Sequence, residues 1–463
     1  MFQKLMNSPK QLRLMVLLLC LAGSFSQVML KKQSKPVFDA VAYISIAQDL
    51  TRTGIFTNAK KQQNTEPGSF TAPLYPGFLS LFPRFSPQIS EAFDCYRTDL
   101  DTCNFKALTP IFVIQSLIAG VTLFFVYLAS LALMNRQDVA IITVFIAGAS
   151  SVFSHYAGIL LTENLAFFFF MGFFAFYAKA MFRSPSIKNW VIAVAMLAFS
   201  ILTRPTYIYF FYLLIPFSLL WCRFKFQKSW RFGGAVALSV MATGVVVLLP
   251  WMLRNYAHFG ELYLTNGYAA YILVQRLAYN LMSWGEWGAG FIFLLPDFGD
   301  SLARDLFDRS LYVRYTWHDP TSFYSIGNGS FRGEMTGLAG GTEHLLGYLI
   351  KDVIIPNFGK HIMVTFVVLL RGMWIGKYIG LLAVLCLPYI MVLAKQNGQL
   401  LNFLSFLLPG MFFLGFHAFV SINISRYNEP LIAVYAFIVA IFLIQIAAKI
   451  SPAKVRAVTA DWP

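Results

Sequence analysis

Charge is scarce in this sequence. Only 12% of its 463 residues are charged and 58% are hydrophobic, whereas an ordinary globular domain has about 25% charged and about 45–50% apolar residues. Acids are the scarcest, with 21 Asp and Glu against 36 Lys and Arg. This composition excludes an ordinary soluble domain and indicates an integral membrane protein that contacts the lipid bilayer.

Motifs of several common sites are also missing. The six histidines never fall in HExxH or HxxxH spacing, the arrangement that binds zinc on one helix face, and no GxSxG nucleophile motif occurs. The glycine-rich stretch SIGNGSFRGEMTGLAGG does not follow a predicted strand, which excludes a nucleotide-binding loop. Because no internal repeat is evident, a transporter built from inverted repeats is not favoured.

Cysteines are few, with five in the chain. Three of them lie in apolar segments and are interpreted as packing residues: Cys20, Cys222 and Cys386. Cys95 and Cys103 flank the short polar loop CYRTDLDTC. Two cysteines that close such a loop outside the cytoplasm predict a disulfide in an oxidising compartment. The alternatives are two free thiols, or half of a metal site that has no second cysteine pair.

The sequence does contain a series of long apolar segments. Each is near the ~20 residues that cross ~30 Å of hydrocarbon. We predict an all-α polytopic membrane protein with about ten transmembrane helices, within a range of about nine to thirteen. The first is interpreted as a retained anchor, since no convincing cleavage site follows it. The predicted spans are 12–30, 109–134, 139–160, 164–182, 188–203, 206–222, 233–251, 374–394, 399–420 and 429–448.

Lys and Arg concentrate on alternate connections between these spans, which sets the predicted orientation. Positive charge is retained in the cytoplasm during insertion, so we expect both termini to be cytoplasmic. A bacterial inner membrane is favoured because the chain is compact, without an appended lumenal domain or retention signal. The net charge of +15 is therefore a topology signal, and nucleic acid is not an expected partner.

Two long polar segments, 31–108 and 252–373, fall on the external side of this topology. Unstructured loops of such length are uncommon, so we expect both to carry short helices within a single transmembrane domain over 1–463. The first segment begins DAVAYISIAQDLTRTG, where Asp39, Tyr43 and Ala47 share one helix face. The second is expected to include a segment that covers the substrate.

Two acids lie at the external ends of apolar spans. Asp39 follows the first span, and a carboxylate there can act as a general base if partial burial tunes it; the alternative is an ordinary surface acid. Glu163 lies between two spans that are joined almost without a polar linker. A carboxylate so close to hydrocarbon costs free energy, and by default it is a candidate functional residue. The alternative for Glu163 is a carboxylate that favours the start of a helix.

Three arginines lie at the same predicted depth, namely Arg204, Arg254 and Arg426. Their rigid forks of donors suit phosphate, and the alternative is contact with lipid headgroups. Three arginines level with two acids favour a phosphate-binding site. Asp39 and Glu163 could also hold a divalent cation such as Mg, Mn or Zn, and His258 is a further candidate ligand.

Together these motifs resemble the GT-C superfamily of polytopic glycosyltransferases, near its family 39 branch of protein O-mannosyltransferases and aminoarabinose transferases. The resemblance covers most of the chain, and its matching pieces are Asp39-x-x-x-Tyr43-x-x-x-Ala47 with Gly54, APLYPGF, LLTENL, LTRPTYIYF, PWMLRNYAHFG and SRYNEP. Protein mannosyltransferases carry adjacent Asp-Glu after the first span, whereas Ala40 follows Asp39 here. That departure argues against a protein acceptor without excluding one.

The resemblance implies transfer of a sugar from a polyprenyl-phosphate donor to an acceptor hydroxyl at the periplasmic face, with inversion of the sugar. Asp39 matches the family's catalytic base and Glu163 the acid of its second external loop. The three arginines would hold the donor phosphate. The same motifs supply the substrate-binding candidates, which are Tyr43, Tyr75, Asn255 and Tyr427. The acceptor could be a glycolipid, a polysaccharide or a protein.

Two other functions stay open. One is an O-antigen-type polymerase or ligase that uses a lipid-pyrophosphate oligosaccharide. The other is a flippase or transporter of lipid-linked sugars, which should place its polar residues near the bilayer midplane. The predicted polar residues cluster at the external ends of the spans, which favours an enzyme.

Overall fold

The computed structural model describes residues 8–31, 33–58, 66–98 and 102–450, and this part of the chain forms helices and turns without a β-strand. Eight of the described helices are long and apolar enough to cross a membrane, which confirms an all-α polytopic membrane protein. They are Pro9–Leu30, Phe105–Met134, Glu163–Phe182, Pro205–Phe224, Trp230–Phe259, Tyr378–Gln396, Leu400–Val420 and Leu431–Ile450. A ninth span results if Leu345–Ile354 and Phe358–Met373, which meet at 103°, count as one.

Two further predicted spans are shorter apolar helices, Gln137–Ala149 and Ile187–Thr203. The predicted span 139–160 is interrupted after Ala149, and a separate helix, Val152–Ala157, follows. Ser151 at the break has a φ of +58°, and the Ser150 hydroxyl donates to the carbonyl of Ala147 at 2.5 Å. Hydroxyls that bond nearby backbone compete with helical hydrogen bonds, so the apolar run does not continue as one helix.

The helix Trp230–Phe259 runs past the predicted end of its span at residue 251. It contains Pro250, a residue that removes one hydrogen bond of a helix and commonly ends it. Here the helix continues and ends at Gly260, whose φ of 76° is the left-handed conformation that glycine adopts easily. Arg254 and Asn255 therefore lie in the last two turns of a membrane helix and not in a loop.

The first external segment folds into short helices, as predicted: Asp39–Thr53, Leu74–Leu79, Leu81–Phe85 and Pro87–Thr98. A buried ion pair fastens the first of these to the last, because Arg97 Nη1 lies 2.7 Å from Asp49 Oδ1. The Thr57 hydroxyl donates to the other oxygen of Asp49 at 2.7 Å, so both carboxylate oxygens are satisfied. Cys95 and Cys103 are joined by a disulfide beside this pair, as the sequence predicts.

The chain divides into two compact units, and the prediction of one domain over 1–463 stays a prediction. The first unit comprises Met1–Thr265, Pro388–Phe406 and Ala436–Pro463, and the second comprises Asn266–Leu387 and Leu407–Tyr435. The second unit contains most of the second external segment, which is helical as expected. Its short helices before the bent pair are Tyr268–Ala278, Tyr279–Leu281, Trp284–Phe293, Gly299–Leu306, Arg309–Tyr312, Val313–Tyr315, Phe323–Asn328 and Ser330–Leu338.

A fully buried arginine holds the second unit together. Arg276 donates to the carbonyl of Ala418 at 2.7 Å and to the carbonyl of His361 at 3.2 Å. It also donates to the Thr365 hydroxyl and to the side-chain oxygen of Asn280. Burial lowers the pKa of Arg276 to about 9. These neutral oxygens replace water around a cation that would otherwise be costly to bury.

Candidate functional site

Glu163 and Arg204 form a buried ion pair in the first unit. Glu163 begins the helix Glu163–Phe182, where its charge favours the positive end of the helix dipole. Arg204 has an extended backbone at the end of Ile187–Thr203, and Pro205 begins the next helix. Arg204 Nη1 lies 3.3 Å from Glu163 Oε1, and their side chains are 15% and 3% exposed. The two predicted residues therefore meet.

Tyr75 and Tyr43 belong to the same cluster. The Tyr75 ring packs edge-on against Tyr43, with centroids 5.4 Å apart. Burial raises the pKa of Tyr75 well above its ordinary value, and the charges of Tyr43 and Glu163 act in the same direction. Four predicted site residues thus form two contacting pairs, Tyr43 with Tyr75 and Glu163 with Arg204.

Asp39 begins the helix that carries Tyr43, one turn earlier on the same face, and its side chain is exposed. The preceding residue, Phe38, has a φ of 46°, a conformation that costs about 1–3 kcal/mol in a bulky residue and is found most often at functional sites. Ser34, on the way to this helix, donates its N–H to the carbonyl of Gly158 at 3.1 Å. The segments that lead to Asp39 and to Glu163 therefore run side by side.

Gln115 connects these parts, and the sequence analysis missed it. Its side chain is fully buried in the helix Thr109–Met134 and accepts a hydrogen bond from the Tyr75 hydroxyl at 3.0 Å. Its amide donates to the carbonyls of Ala157 and Ile159, at 3.0 and 3.1 Å. Those carbonyls lie in the turn before Glu163. A single glutamine inside an apolar span was the available signal, since such residues are costly and seldom incidental.

Asn164 adds a second missed contact. Its side-chain amide donates to the backbone carbonyl of Gln115 at 3.0 Å. Asn164 is almost fully buried, so this bond fixes the first turn of the Glu163 helix against the helix of Gln115. The site is consequently supported by a connected set of hydrogen bonds, which keeps its geometry rigid.

Arg254 binds the first external segment. It donates to the carbonyl of Gly68 at 2.6 Å and to the carbonyl of Phe56 at 3.0 Å. Its guanidinium also lies 4.9 Å from the ring centroid of Trp251. Gly68 packs so closely on Thr57 that a Cβ atom there would collide with the Thr57 backbone. Phosphate binding by Arg254 stays a prediction, and it would require the guanidinium to exchange or share these oxygens.

Asn255 supports the same region. Its amide donates to the carbonyls of Tyr263 and Leu264, at 2.9 and 3.3 Å, and its oxygen accepts from Arg254. These bonds fold the chain back after Gly260 and orient the guanidinium of Arg254. Substrate binding by Asn255 stays a prediction.

Arg426 and Tyr427 lie in the second unit, in the short helix Ser425–Tyr427. The guanidinium of Arg426 lies 5.6 Å from the Tyr427 ring centroid, and the Tyr427 ring lies 5.4 Å from that of His417. His417 Nδ1 is 3.1 Å from Asn428 Oδ1, which holds the following loop. The phosphate-binding and substrate-binding roles of this pair stay predictions.

A divalent cation finds little support in the residues that the structure describes. No three His, Cys, Asp or Glu side chains among them are grouped to hold a metal. Glu163 already faces the guanidinium of Arg204, whose charge takes the place that a cation would need. His258 is exposed beside Phe259. We therefore derive no step through a metal.

Comparisons with known proteins identify the fold. No known family model matches the sequence, and no curated protein matches it. Among solved structures, the oligosaccharyltransferase of Archaeoglobus fulgidus in complex with Zn and sulfate matches with a TM-score of 0.51 at 12% identity, over 96% of this chain and 52% of that one. Its apo form matches with a TM-score of 0.52 at 12% identity, over 95% and 51%.

The chain shares the fold of this oligosaccharyltransferase over about half of that protein's length. It spans about half the length of the oligosaccharyltransferase chain that it matches, 52% in the first of the two structures. ArnT from Cupriavidus metallidurans, bound to undecaprenyl phosphate, also matches, with a TM-score of 0.39 at 14% identity, over 96% of this chain and 80% of that one. Within this chain, the residues around Glu163 and Arg204 form the candidate site.

Proposed function

We propose that this chain transfers a sugar from a polyprenyl-phosphate donor to an acceptor hydroxyl at the periplasmic face of a bacterial inner membrane. The observation that carries the proposal is the Glu163–Arg204 ion pair, together with the hydrogen bonds that connect Tyr75 through Gln115 to the turn before Glu163. The fold shared with the oligosaccharyltransferase of Archaeoglobus fulgidus supports it. The proposed orientation, with both termini in the cytoplasm, follows from the distribution of Lys and Arg.

In the proposed reaction Asp39 is the general base. As the acceptor oxygen attacks the anomeric carbon, its proton passes to the Asp39 carboxylate. A new C–O bond forms on one face of the sugar while the bond to the donor phosphate breaks on the other, so the anomeric centre inverts. Polyprenyl phosphate leaves with the electron pair and the negative charge.

Arginine side chains stabilise that leaving group in this mechanism. Charge grows on the phosphate as the bond breaks, and a guanidinium held in place beforehand stabilises it without reorganisation. Glu163 orients Arg204 for this role through the contact at 3.3 Å. Arg254 and Arg426 are the other proposed phosphate ligands. Tyr43, Tyr75, Asn255 and Tyr427 are the proposed substrate contacts.

The test is a transfer assay on purified protein. The protein is incubated with a panel of polyprenyl-phosphate sugars and with glycolipid, polysaccharide and peptide acceptors, and released polyprenyl phosphate is measured by mass spectrometry. We expect release with at least one donor. The panel includes a lipid-pyrophosphate oligosaccharide, and turnover of that donor alone would identify a polymerase or ligase instead.

Asp39→Asn tests the assignment of the base. We expect at least about a hundredfold loss of turnover, the lower bound for removing a positioned general base, with unchanged thermal unfolding because Asp39 is exposed. Glu91→Gln is the matched control, since it removes another exposed acid of the same external segment and should leave turnover unchanged. Near-normal transfer by Asp39→Asn would refute the assignment.

A further inference from the structure

Two connections of the first unit lie together at one end of its helices. One joins Glu163–Phe182 to Ile187–Thr203, and the other joins Ile208–Phe224 to Trp230–Phe259. The indole N–H of Trp221 donates to the carbonyl of Met181 at 3.1 Å. The rings of Phe182 and Trp221 pack edge to face, with centroids 6.4 Å apart. The last turns of two helices are therefore in direct contact.

Within residues 164–260 this end carries positive charge and no negative charge, and Asp138, just beyond the adjacent helix Phe105–Met134, pairs with Arg136. No Asp or Glu occurs between residues 164 and 260. None of the ion pairs within the described parts of the chain involves a residue of this group. We call the group the basic end; its members are Lys179, Arg183, Lys188, Arg223, Lys225, Lys228 and Arg231.

Helix dipoles explain only some of these cations. Lys179 and Arg223 lie in the last turns of their helices, where positive charge is favourable. Lys188 and Arg231 instead lie in the first turns of the two following helices, neither of which has an acid there. A cation at that end opposes the dipole. A bound anion would reduce both the repulsion among these cations and the cost of placing Lys188 and Arg231 in the first turns of helices.

Aromatic side chains give the basic end the character of a membrane interface. Phe224 and Trp230 are 67% and 54% exposed, and their rings pack edge to face at 6.0 Å. The guanidinium of Arg223 lies 5.8 Å from the Phe224 centroid and 5.5 Å from that of Trp230. Tryptophan prefers the headgroup level of a bilayer. The neighbouring cations, which are exposed at Lys225, Lys228 and Arg231, therefore adjoin aromatic side chains of the kind that suits the headgroup level.

We propose that the basic end is a binding site for the headgroup phosphate of an anionic phospholipid. Charge complementarity selects this ligand, because about 1 kcal/mol of attraction to an anionic leaflet is gained for each Lys or Arg near the surface. The exposed aromatic pair adds contact with the glycerol and acyl region. A role in membrane insertion alone needs the positive charges but predicts no lipid preference in the folded protein.

The site is tested by adding lipid to the purified protein in detergent. Because no bilayer is present, the orientation of the protein in a membrane does not affect the measurement. Phosphatidylglycerol and phosphatidylcholine are added separately, and bound lipid is counted by native mass spectrometry. We expect the wild-type protein to bind phosphatidylglycerol at least about tenfold more tightly than phosphatidylcholine, with the preference falling as salt is raised.

The decisive variant combines Lys225→Gln, Lys228→Gln and Arg231→Gln. It should bind phosphatidylglycerol about tenfold or more weakly, with unchanged thermal unfolding, because all three side chains are exposed. The matched control combines Arg84→Gln, Lys106→Gln and Lys360→Gln, which are exposed cations elsewhere, and it should bind as the wild type does. A charge-preserving variant, Lys225→Arg with Lys228→Arg and Arg231→Lys, should also retain binding.

Three results would overturn the proposal. The first is equal phosphatidylglycerol binding by the neutralised variant and the wild type. The second is an equal loss in the control variant, which would mean that net charge and not this site attracts the lipid. The third is displacement of phosphatidylglycerol by inorganic phosphate at the same concentration, which would identify a site for the free ion.

Discussion

Arg204 and Arg254 carry the same sequence signal but have different partners. Each arginine lies at the end of an apolar segment in the first unit. Arg204 faces the buried carboxylate of Glu163 at 3.3 Å. Arg254 donates to the backbone carbonyls of Gly68 and Phe56 and lies against the Trp251 ring. The guanidinium of Arg204 is neutralised by an acid, whereas that of Arg254 binds two backbone carbonyls, those of Phe56 and Gly68.

The two arginines show two ways in which a protein can use a partly buried guanidinium. A guanidinium paired with a carboxylate can exchange that partner for phosphate when an anionic donor arrives, since both anions accept its forked donors. A guanidinium that donates to backbone carbonyls keeps its full charge. It must break those hydrogen bonds, however, if it is to bind a ligand. Arg204 can therefore exchange its carboxylate for phosphate directly, whereas Arg254 would have to release a backbone carbonyl to bind phosphate.

The largest effect is expected from Arg204→Met. It leaves the Glu163 carboxylate buried without its cation, which typically costs about 3–5 kcal/mol of stability. The double variant Arg204→Met with Glu163→Gln should recover more than half of that loss, because the uncompensated charge is gone. Thermal and denaturant unfolding of the purified variants measures both values, and sugar transfer should be lost in both.

Equal stability of Arg204→Met and the wild type would mean that the pair does not stabilise the fold. Recovery of transfer in the double variant would show that Arg204 has no part in the reaction. The two readouts therefore separate the structural role of the pair from its proposed catalytic role.

A smaller effect is expected from Arg254→Gln. The variant loses hydrogen bonds from a charged donor to two carbonyls, each worth about 1.5–3 kcal/mol in general, and we expect about 2 kcal/mol because glutamine can replace one of them. The chain at Phe56 and at Gly68 should become more susceptible to limited proteolysis. Arg84→Gln, an exposed arginine of the same external segment, is the control and should change neither readout.

Transfer kinetics decide whether Arg254 also binds phosphate. If its role is to hold the loop, KM for the donor should change by less than about twofold once folded protein is counted, far below the effect of losing a charged hydrogen bond. A large rise in donor KM with unchanged proteolysis would contradict that role and support the sequence-based prediction.

Hydropathy alone predicted most of the fold. Eight of the ten predicted spans coincide with long apolar helices among the described residues, because apolar length and the cost of unpaired backbone in lipid leave few alternatives. The errors were local: the break at Ser151 and the continuation through Pro250 depend on individual hydrogen bonds. The bent pair after Leu345 was not predicted as a span, because its apolar run is divided by a turn.

The candidate site could be predicted only in part. Sequence places Glu163 and Arg204 at the ends of helices, since breaks in the apolar pattern mark those positions. It cannot say which charge meets which, because partners such as these lie 41 positions apart and are set by helix packing. Gln115 was missed for the same reason: its hydrogen bonds reach 40 to 44 positions along the chain.

The smallest loss of stability is expected from Tyr75→Phe. The Tyr75 hydroxyl donates to Gln115 Oε1 at 3.0 Å, so its removal should cost about 1 kcal/mol, the typical value of one hydrogen bond. Gln115→Leu should cost more, because it also frees the carbonyls of Ala157 and Ile159. If Tyr75 acts through Gln115, the double variant should be no more than slightly worse than Gln115→Leu alone, a coupling that a double-mutant cycle measures.

Transfer by the same variants separates positioning from substrate contact. If the Tyr75 hydroxyl only supports Gln115, its removal should lower kcat as Gln115→Leu does. If the hydroxyl binds the sugar, its removal should raise KM even in a protein that already lacks Gln115. Strictly additive losses for Tyr75 and Gln115 would show that the hydrogen bond does not connect Tyr75 to the turn before Glu163. The placement of Arg204 would then depend on its ion pair with Glu163 alone.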